Sequence, residues 1–495
     1  MKRIKYLKLP AFALASVAIM TGCNDDEFLD KKPQGYATVG EYPAGGLEAQ
    51  AFGLYGRLRT EAGLTDWTRY WFQSIRSDDA AKGSTQTDAA NFGTIFDSYQ
   101  YSAAENFAAG NWNSHYRLIY DCNDIIVTVD EMEDPDDNTL ANKAEATCMR
   151  AFSYFDLRRD YGEVPIVLNR VTTPSEGIAP KSTVAEVDAQ IIADLQFAIE
   201  YLPVSWPNQL GRATKGFAHT LLGKLYLYQQ NYAQSLEQLQ IVMGMGYSLY
   251  PSYADLFLGA GDNSAESIFE IQFYRSPTNQ NYSNNYWESQ GVRGAGSWDL
   301  GWGFNVPTQV LVDAYEAGDP RRAATILFSG QSDNMVPALV VPESPPLAQP
   351  YWNRKAYTKA IERSQFGENK NHWANIKLFR YADVLLMAAE AANEQGQTGV
   401  AVGYINEVRA RARGGNNAVL PDIMSSDQSV VRTAIKHERR IEFAMEGERF
   451  YDLVRWGDAP SVLGGLGYQP KNRYYPIPQT AIDQFGGVLV QNPDY

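Results

Sequence analysis

The sequence predicts a mainly α-helical fold, in which a scaffold of helical hairpins carries an inserted, irregular lobe with a few short strands. Two stretches, at residues 220–243 and 385–410, each read as a helix, a short break and a second helix. Between them the chain is rich in Gly, Pro, Asn, Ser and aromatic residues, a composition typical of loops. The sequence therefore predicts an N-terminal helical part at 23–250, a loop-rich binding lobe at 251–375 and a C-terminal helical part at 376–495.

Residues 1–22 read as a lipoprotein signal peptide. Four basic residues lie within the first eight positions, and the apolar stretch at 9–20 is shorter than the ~20 residues that a membrane-spanning helix needs. Thr21-Gly22-Cys23 resembles a bacterial lipobox, in which the cysteine is acylated and becomes the first residue of the mature chain. The acids at 25–27 resemble the surface-export signal of Bacteroidetes lipoproteins. The alternative is a secreted protein without lipid, in which Cys23 has no special role.

The chain of 495 residues is acidic, with a formal net charge of −15 at pH 7. Such a charge repels nucleic-acid phosphates, so we expect no nucleic-acid partner. After the leader no stretch reaches 18 apolar residues, and the sequence predicts no further membrane-spanning helix. Cys122 and Cys148 could pair in an oxidising compartment, but buried free thiols are the favoured interpretation.

Helices are predicted in the N-terminal part over Gly46–Arg59, Asn113–Glu133 and Leu140–Tyr161, where apolar residues recur at helical spacing. The stretch "EMEDPDDNT" at 131–139 separates the last two and has Pro135 at its centre. Its carboxylates could hold calcium through oxygen ligands, but a solvated acidic turn is the favoured interpretation. We therefore expect no cofactor and no metal site.

The two helix–break–helix stretches share a spacing of small residues. Gly223 and Ser235 lie 12 residues apart, and so do Ala389 and Ala401. Two packed helices of a hairpin need small residues where they approach closely. This spacing resembles that of a tetratricopeptide (TPR) helical hairpin. If the earlier helices pair in the same way, the scaffold has about four such hairpins.

Within the lobe, "ESIFEIQFY" at 266–274 alternates in polarity and predicts a strand. One helix is predicted after Pro307, with its end at Gly318. Prolines at 342, 345, 346 and 350 predict a loop segment without regular secondary structure. Because recognition is usually placed on loops held by a rigid frame, the lobe is the expected binding region.

The densest charge cluster lies in a helix predicted over 434–456, where Glu438, Glu442 and Glu446 align on one side. The arginines at 439, 440 and 449 offer ion-pair partners, which keep carboxylates ionised and favour a structural role. The four histidines show no metal-ligand spacing, and no nucleophile elbow, phosphate loop or dinucleotide fingerprint occurs. We therefore expect no enzyme, although a glycosidase needs only two carboxylates, which sequence alone does not reveal.

Aromatic residues make up 13% of the chain and concentrate in two polar stretches, 65–85 and 279–304. A sugar ring has an apolar C–H face and a rim of hydroxyls, so a flat aromatic ring flanked by amides and carboxylates matches it. The alternative is that these rings fill the base of the lobe. The candidate ligand-binding residues in the two stretches are Trp67, Tyr70, Trp71, Asp78, Tyr282, Asn285, Tyr286, Trp287, Trp298 and Trp302.

Several motifs, in this order along the chain, resemble those of one family. After the lipobox come "FLDKKP" at 28–33, the first helical hairpin, "GDPRR" at 318–322, "LFRYADVLLMAAEA" at 378–391, "KHERRIEFAMEGERFYDLVRWG" at 436–457, and "YPIPQTAI" and "QNPDY" near the end. Together they are similar to the SusD/RagB family, the surface lipoproteins of Bacteroidetes nutrient-uptake systems.

This resemblance implies a helical fold on four TPR-like hairpins and an irregular outer lobe that binds oligosaccharide. It also implies a lipid anchor in the outer membrane, a surface-exposed location and no catalytic activity. The implied partner is a SusC-type TonB-dependent transporter, on which the protein sits as a lid and to which it delivers the captured sugar. Peptide capture, as in the RagB branch, is the alternative.

In starch-binding members of the family, one binding aromatic lies in the loop after a "TDEA"-like segment. The matching segment here is 77–80, and the loop that follows contains Asn91 and Phe92 but no Trp. The resemblance therefore implies a glycan other than starch, with Asn91 and Phe92 as further candidate contacts. The other binding aromatics of the family correspond to the region 275–305.

Overall fold

The computed structural model of the chain describes residues 46–275, 281–282 and 284–495. The predicted signal peptide, Cys23 and the motif at 28–33 lie outside these residues. The helices are α1 Gly46–Thr60, α2 Ala62–Thr65, α3 Trp67–Tyr70, α4 Ala90–Phe92, α5 Asn106–Asp130, α6 Asp137–Tyr161, α7 Val184–Tyr201, α8 Lys215–Tyr228, α9 Tyr232–Met243, α10 Tyr253–Leu256, α11 Gln309–Ala314, α12 Pro320–Thr325, α13 Ala360–Phe366, α14 Tyr381–Glu394, α15 Thr398–Arg413, α16 Gln428–Glu442, α17 Arg449–Arg455, α18 Ala459–Leu463 and α19 Gln479–Gln484.

The strands are short and pair two by two. They are β1 Ala80–Gly83, β2 Ser267–Ile271, β3 Tyr274–Arg275, β4 Asn281–Tyr282, β5 Phe304–Pro307, β6 Ile326–Phe328, β7 Tyr351–Asn353 and β8 Ile376–Arg380. The antiparallel pairs are β1–β5, β2–β8, β3–β4 and β6–β7. Ala80 lies opposite Pro307 and Ile271 opposite Ile376. Backbone hydrogen bonds therefore join the loop-rich region to both the N-terminal and the C-terminal helical parts.

The long helices form an array in which neighbours in the sequence pack together. Helix α5 packs on α6, α6 on α7, α7 on α8, and α8 on α9. Helix α9 then packs on α14, which in turn packs on α15 and α16. The array thus joins the two ends of the sequence in one scaffold. The prediction of a mainly helical fold built from helical hairpins is confirmed.

The hairpin of α8 and α9 shows why a small residue is needed at its crossing. Ser235 Oγ donates a hydrogen bond to the carbonyl oxygen of Gly223 at 2.8 Å. A Cβ atom on Gly223 would lie 2.9 Å from the side chain of Leu239, closer than atoms normally approach. The predicted contact between these two small residues is therefore confirmed. In the hairpin of α14 and α15, Ala389 and Ala401 are both fully buried.

The prediction of one helix over 434–456 is wrong. Helix α16 ends at Glu442 and α17 begins at Arg449. Between them Met445 and Gly447 have φ angles of 65° and 86°, which no α-helix accommodates. The helix predicted after Pro307 is also shorter than expected, since α11 ends at Ala314.

The acidic turn at 131–139 begins a helix. The carboxylate of Asp136 accepts a hydrogen bond from the Thr139 backbone N–H at 2.7 Å and so caps α6. Among the residues that the structure describes, no group of three or more His, Cys, Asp or Glu side chains could hold a metal ion.

Cys122 and Cys148 are free thiols in the core. Burial raises the pKa of both well above the ordinary value, which keeps them protonated and unreactive. The interpretation as buried free thiols is confirmed.

Residues Leu47–Tyr495 form one compact unit. The division at 250 and 375 therefore stays a prediction about the organisation of this unit. In the described part of the chain, none of the helices has the length and apolar character needed to cross a membrane.

Candidate ligand-binding site

Three loops form one continuous surface, which we call the loop face: residues 84–93, 284–303 and 366–374. Side-chain hydrogen bonds to backbone carbonyls hold the loops together. Ser84 Oγ donates to the carbonyl oxygen of Trp302 at 2.8 Å, and Asn369 Nδ2 donates to that of Gly296 at 3.2 Å. From α13, Arg363 Nη1 donates to the carbonyl oxygen of Ser297 at 2.7 Å.

Trp302 lies half-buried in this face, and a buried carboxylate fixes its indole. Its Nε1 donates to Glu288 Oε1 at 3.0 Å. The same carboxylate pairs with Lys370 Nζ at 2.8 Å and with His372 Nε2 at 3.3 Å. The hydrogen bond to Glu288 raises the pKa of Lys370 above its ordinary value. The indole is therefore bordered by one carboxylate, one ammonium donor and one imidazole, all held by the fold.

Trp298 is the second half-buried indole of the loop face. It stacks on Tyr357, with the ring centroids 6.2 Å apart and an interplanar angle of 28°. The guanidinium carbon of Arg363 lies 5.3 Å from the indole centroid. These contacts hold one side of Trp298 against the protein.

The loop 84–93 is held by Lys82 and Arg293. Lys82 Nζ donates to the carbonyl oxygens of Thr85 at 3.0 Å and Asp88 at 2.7 Å. Arg293 pairs with the Asp88 carboxylate and donates to Ser84 Oγ at 3.0 Å. Burial raises the pKa of Asp97, which lies against the Lys82 backbone N–H, to about 7.

Four of the rings predicted to contact ligand are buried. Tyr70 and Trp71 are each 1% exposed, and Tyr286 and Trp287 are 7% and 8% exposed. They pack with other aromatic rings, and the Trp287 Nε1 donates to the carbonyl oxygen of Ala374 at 2.9 Å. Their burial favours, for these four candidates, the alternative that the rings fill the base of the lobe.

The candidate Asp78 is also buried, and it is bonded to two arginines of the C-terminal part. Its carboxylate accepts from Arg449 Nε at 2.9 Å and from Arg440 Nη2 at 3.0 Å. Burial acts to raise the pKa of Asp78, but the hydrogen bonds from Arg449 hold it below the ordinary value. Asp78 therefore joins the first helical part to the C-terminal one.

The remaining predicted residues fall into two groups. Asn91 is exposed, and Phe92, Asn285, Trp298 and Trp302 are half-buried on the loop face. Phe92 and Trp71 form a T-shaped pair with a centroid distance of 4.4 Å. The backbone of Trp67 belongs to α3 and that of Tyr282 to β4, while their side chains lie outside the described part.

The polar residues around Trp302 were not predicted. Glu288 lies within the aromatic stretch, and an acid beside Trp287 was a weak signal for it. Lys370 and His372 belong to a segment some 80 residues further on, and only the fold brings them to Glu288. Asp88 and Arg293 meet in the same way across more than 200 residues.

The carboxylates of the C-terminal charge cluster are bonded inside the scaffold. Arg380 Nη1 donates to Glu442 Oε1 at 2.6 Å, and Arg321 Nη1 donates to Glu442 Oε2 at 3.1 Å. Burial acts to raise the pKa of Glu442, but Arg411, Arg380 and Arg321 hold it well below the ordinary value. The structural role is confirmed. The predicted partners are wrong, since these arginines come from other helices and strands.

Family comparisons agree with this architecture. A family model described as "SusD family" matches residues 265–495, and one described as "Starch-binding associating with outer membrane" matches residues 59–227. The chain belongs to the SusD/RagB family. Among curated SusD/RagB relatives, the SusD-like protein P2 of Formosa agariphila is 28% identical over 96% of this chain and 97% of its own length. The starch-binding protein SusD of Bacteroides thetaiotaomicron is 26% identical over 69% of each chain.

Solved structures of SusD-like proteins show the same fold. A laminarin-binding SusD-like protein is 28% identical, with a TM-score of 0.75 over 91% of this chain and 99% of that one. The surface glycan-binding protein A from Bacteroides fluxus is 26% identical, with a TM-score of 0.74 over 92% of this chain and all of that one. This SusD/RagB chain thus shares its fold, over about nine-tenths of its length, with proteins whose names record glycan binding.

Proposed function

We propose that this SusD/RagB protein captures neutral oligosaccharides on its loop face and delivers them to a SusC-type TonB-dependent transporter. The observation that carries the proposal is the setting of Trp302. A half-buried indole, fixed by Glu288 and bordered by Lys370, offers a sugar an apolar face and hydrogen-bonding groups at its rim. The second indole, Trp298, belongs to the same face and gives a chain of sugars two points of contact.

The charges of the loop face argue against an anionic glycan. Glu288 is paired with Lys370, and Asp88 with Arg293. The same three loops also contain Asp299 and Glu368 but no further Lys or Arg, so the loop face is acidic and repels an anionic sugar. The laminarin-binding relative makes laminarin, a neutral glucan, the first glycan to test. The absence of Trp from residues 82–92 argues against a starch-type site.

The proposed location is the outer face of the outer membrane, with Cys23 acylated. The lipobox-like Thr21-Gly22-Cys23 and the acids after it support this location. So does the family description of the N-terminal match, which names association with the outer membrane. Replacing Cys23→Ala should move the protein from the membrane fraction to the soluble fraction and abolish labelling by a palmitate analogue. Retained labelling would contradict the anchor.

Calorimetry tests the binding proposal. Wild-type protein is titrated with laminarin oligosaccharides, other neutral glycans and mixed tripeptides. We expect a glycan to bind and Trp302→Ala to weaken the binding by about fivefold or more, because a stacked aromatic ring contributes ~1 kcal/mol or more. Trp206→Ala, which removes a half-buried indole of the helical part, serves as the matched control.

Two outcomes would overturn the proposal. Binding of peptides with no response to any glycan would assign the protein to peptide capture. Release of new reducing ends from a bound glycan at enzymatic rates would show a hydrolase instead of a binding protein.

A further inference from the structure

A second concave site lies in the helical scaffold, where the turn between α8 and α9 meets α14, α16 and α17. The pocket has a volume of about 140 Å³. Its apolar wall contains Leu227, Ile435, the half-buried Tyr232 and the half-buried Trp456. This volume suits a single ring rather than a chain of several, since sites for larger ligands measure ~300 Å³ or more.

The polar wall of the pocket is built from two arginine–glutamate pairs. Arg455 bonds Glu390 with both terminal nitrogens, the Nη2–Oε2 distance being 2.7 Å. Arg432 bonds Glu394 at 2.6 and 2.7 Å.

The indole of Trp456 is held in place by the first of these pairs. Its Nε1 donates to Glu390 Oε1 at 3.0 Å, and the Arg455 guanidinium carbon lies 4.8 Å from its centroid. The pocket therefore contains a preorganised indole beside fixed polar groups, the same combination as on the loop face.

The charges of the pocket indicate which ligand it takes. Besides the two pairs, the remaining charged lining residue, Lys436, is bonded to Asp458 at 2.6 Å. A charged ligand would therefore have to displace an existing partner. A sugar hydroxyl can bind without displacing a partner. A guanidinium has five N–H donors and a carboxylate about four acceptor sites, and one bidentate pair uses only some of them.

We propose that this pocket binds one neutral sugar ring and is a second carbohydrate site of the chain. The C–H groups of the bound sugar ring lie on Trp456 and Tyr232, and the hydroxyls of the sugar bond the two arginine–glutamate pairs. Two sites on one chain raise the retention of a long glycan beyond the affinity of either site, provided that the glycan spans both.

Fluorine NMR tests the second site separately from the first. All ten tryptophans are replaced by 5-fluorotryptophan, and the Trp456 and Trp302 resonances are assigned with Trp456→Phe and Trp302→Phe. The full-length protein is titrated with methyl β-D-glucopyranoside, and then with the amides of N-acetyl-glutamate and N-acetyl-lysine. We expect the neutral glycoside to shift the Trp456 resonance saturably, also when Trp302 is replaced by Ala.

The matched variants are Tyr232→Ala, Tyr232→Phe and Val430→Ala, the last at an exposed position of α16. Tyr232→Ala should weaken the response of Trp456 by about fivefold, as expected for loss of a stacked ring, and Tyr232→Phe should restore it. Val430→Ala should leave it unchanged. If Tyr232→Ala fails to fold, Tyr232→Phe and the wild-type titration still decide.

No shift of Trp456 up to saturation of Trp302 would overturn the second site while leaving the proposed function intact. A shift with the charged amides alone would also overturn it and assign the pocket to a side chain of a protein partner. If the glycoside shifts the Trp456 resonance but not the Trp302 resonance, the result contradicts the proposed function of the loop face and leaves the second site intact.

Discussion

The inward-facing charges of the helical scaffold are buried and bonded to one another, whereas on the loop face only Glu288 of the paired charges is buried, and Asp88, Arg293 and Lys370 are open to solvent. Arg380, in the scaffold, is 2% exposed and bonds Glu266, Glu442 and Glu446. Arg293, on the loop face, is 42% exposed and pairs with Asp88. The same residue types therefore serve two purposes within one compact unit.

This difference separates rigidity from recognition. A buried ion pair cannot lose one partner without leaving an uncompensated charge, so it fixes the elements that it joins. An exposed pair costs little to open, and its groups can exchange partners with a ligand hydroxyl. The scaffold thus positions the loops, and the loop face is free to adapt. The following four predictions test this contrast.

The largest effect is expected in the scaffold. Arg380→Ala should lower the free energy of unfolding by ~3–5 kcal/mol, because the buried Glu266 and Glu442 and the half-buried Glu446 lose their shared partner. Urea denaturation measures it. A loss below ~1 kcal/mol would show that the network contributes no rigidity.

A buried histidine gives the scaffold a pH dependence. Burial lowers the pKa of His115 to about 4, with Asp156 opposing and Arg69 and Arg159 reinforcing the shift. The stability that His115 provides is therefore complete above pH ~6.5, where the unfolded chain is also neutral, and is lost as the pH falls towards 4. Between pH ~6.5 and ~4, the free energy of unfolding of the wild type should fall by up to ~3 kcal/mol more than that of His115→Gln, as measured by denaturation at several pH values. Identical pH profiles for the two proteins would contradict the burial argument.

Helix packing is tested by a pair of glycines. Gly223→Ala should destabilise by ~1–3 kcal/mol, because the new methyl group collides with Leu239 between α8 and α9. Gly403→Ala, at an exposed position in α15 with no atom near the new group, should instead stabilise by up to ~1 kcal/mol. Thermal unfolding of both variants decides, and a change of the same sign in both would contradict the packing argument.

The smallest effect on stability is expected on the loop face. Arg293→Ala should change the free energy of unfolding by only ~0–1 kcal/mol, because its pair with Asp88 is open to solvent. In this variant the free energy of glycan binding, measured by calorimetry, should weaken by more than the free energy of unfolding falls. A destabilisation as large as that of Arg380→Ala would remove the distinction between the two regions.

The candidate site was predicted only in part. The stretch 279–304 was identified from its composition, and Trp298 and Trp302 do reach the surface there. Trp71 and Trp287 carry the same local signal but are buried. The local sequence around an exposed tryptophan and a buried one can be the same, because exposure depends on which distant segments cover the ring.

The sequence alone determined several of the long helices, the two helical hairpins and the close approach at Gly223 and Ser235. These features follow from local periodicity and residue size, which are properties of neighbours along the chain. Only the tertiary structure decided that Glu442 bonds Arg380 and Arg411, that Glu288 meets Lys370, and which rings face solvent. Such pairings depend on contacts between segments far apart in sequence, and no local pattern encodes them.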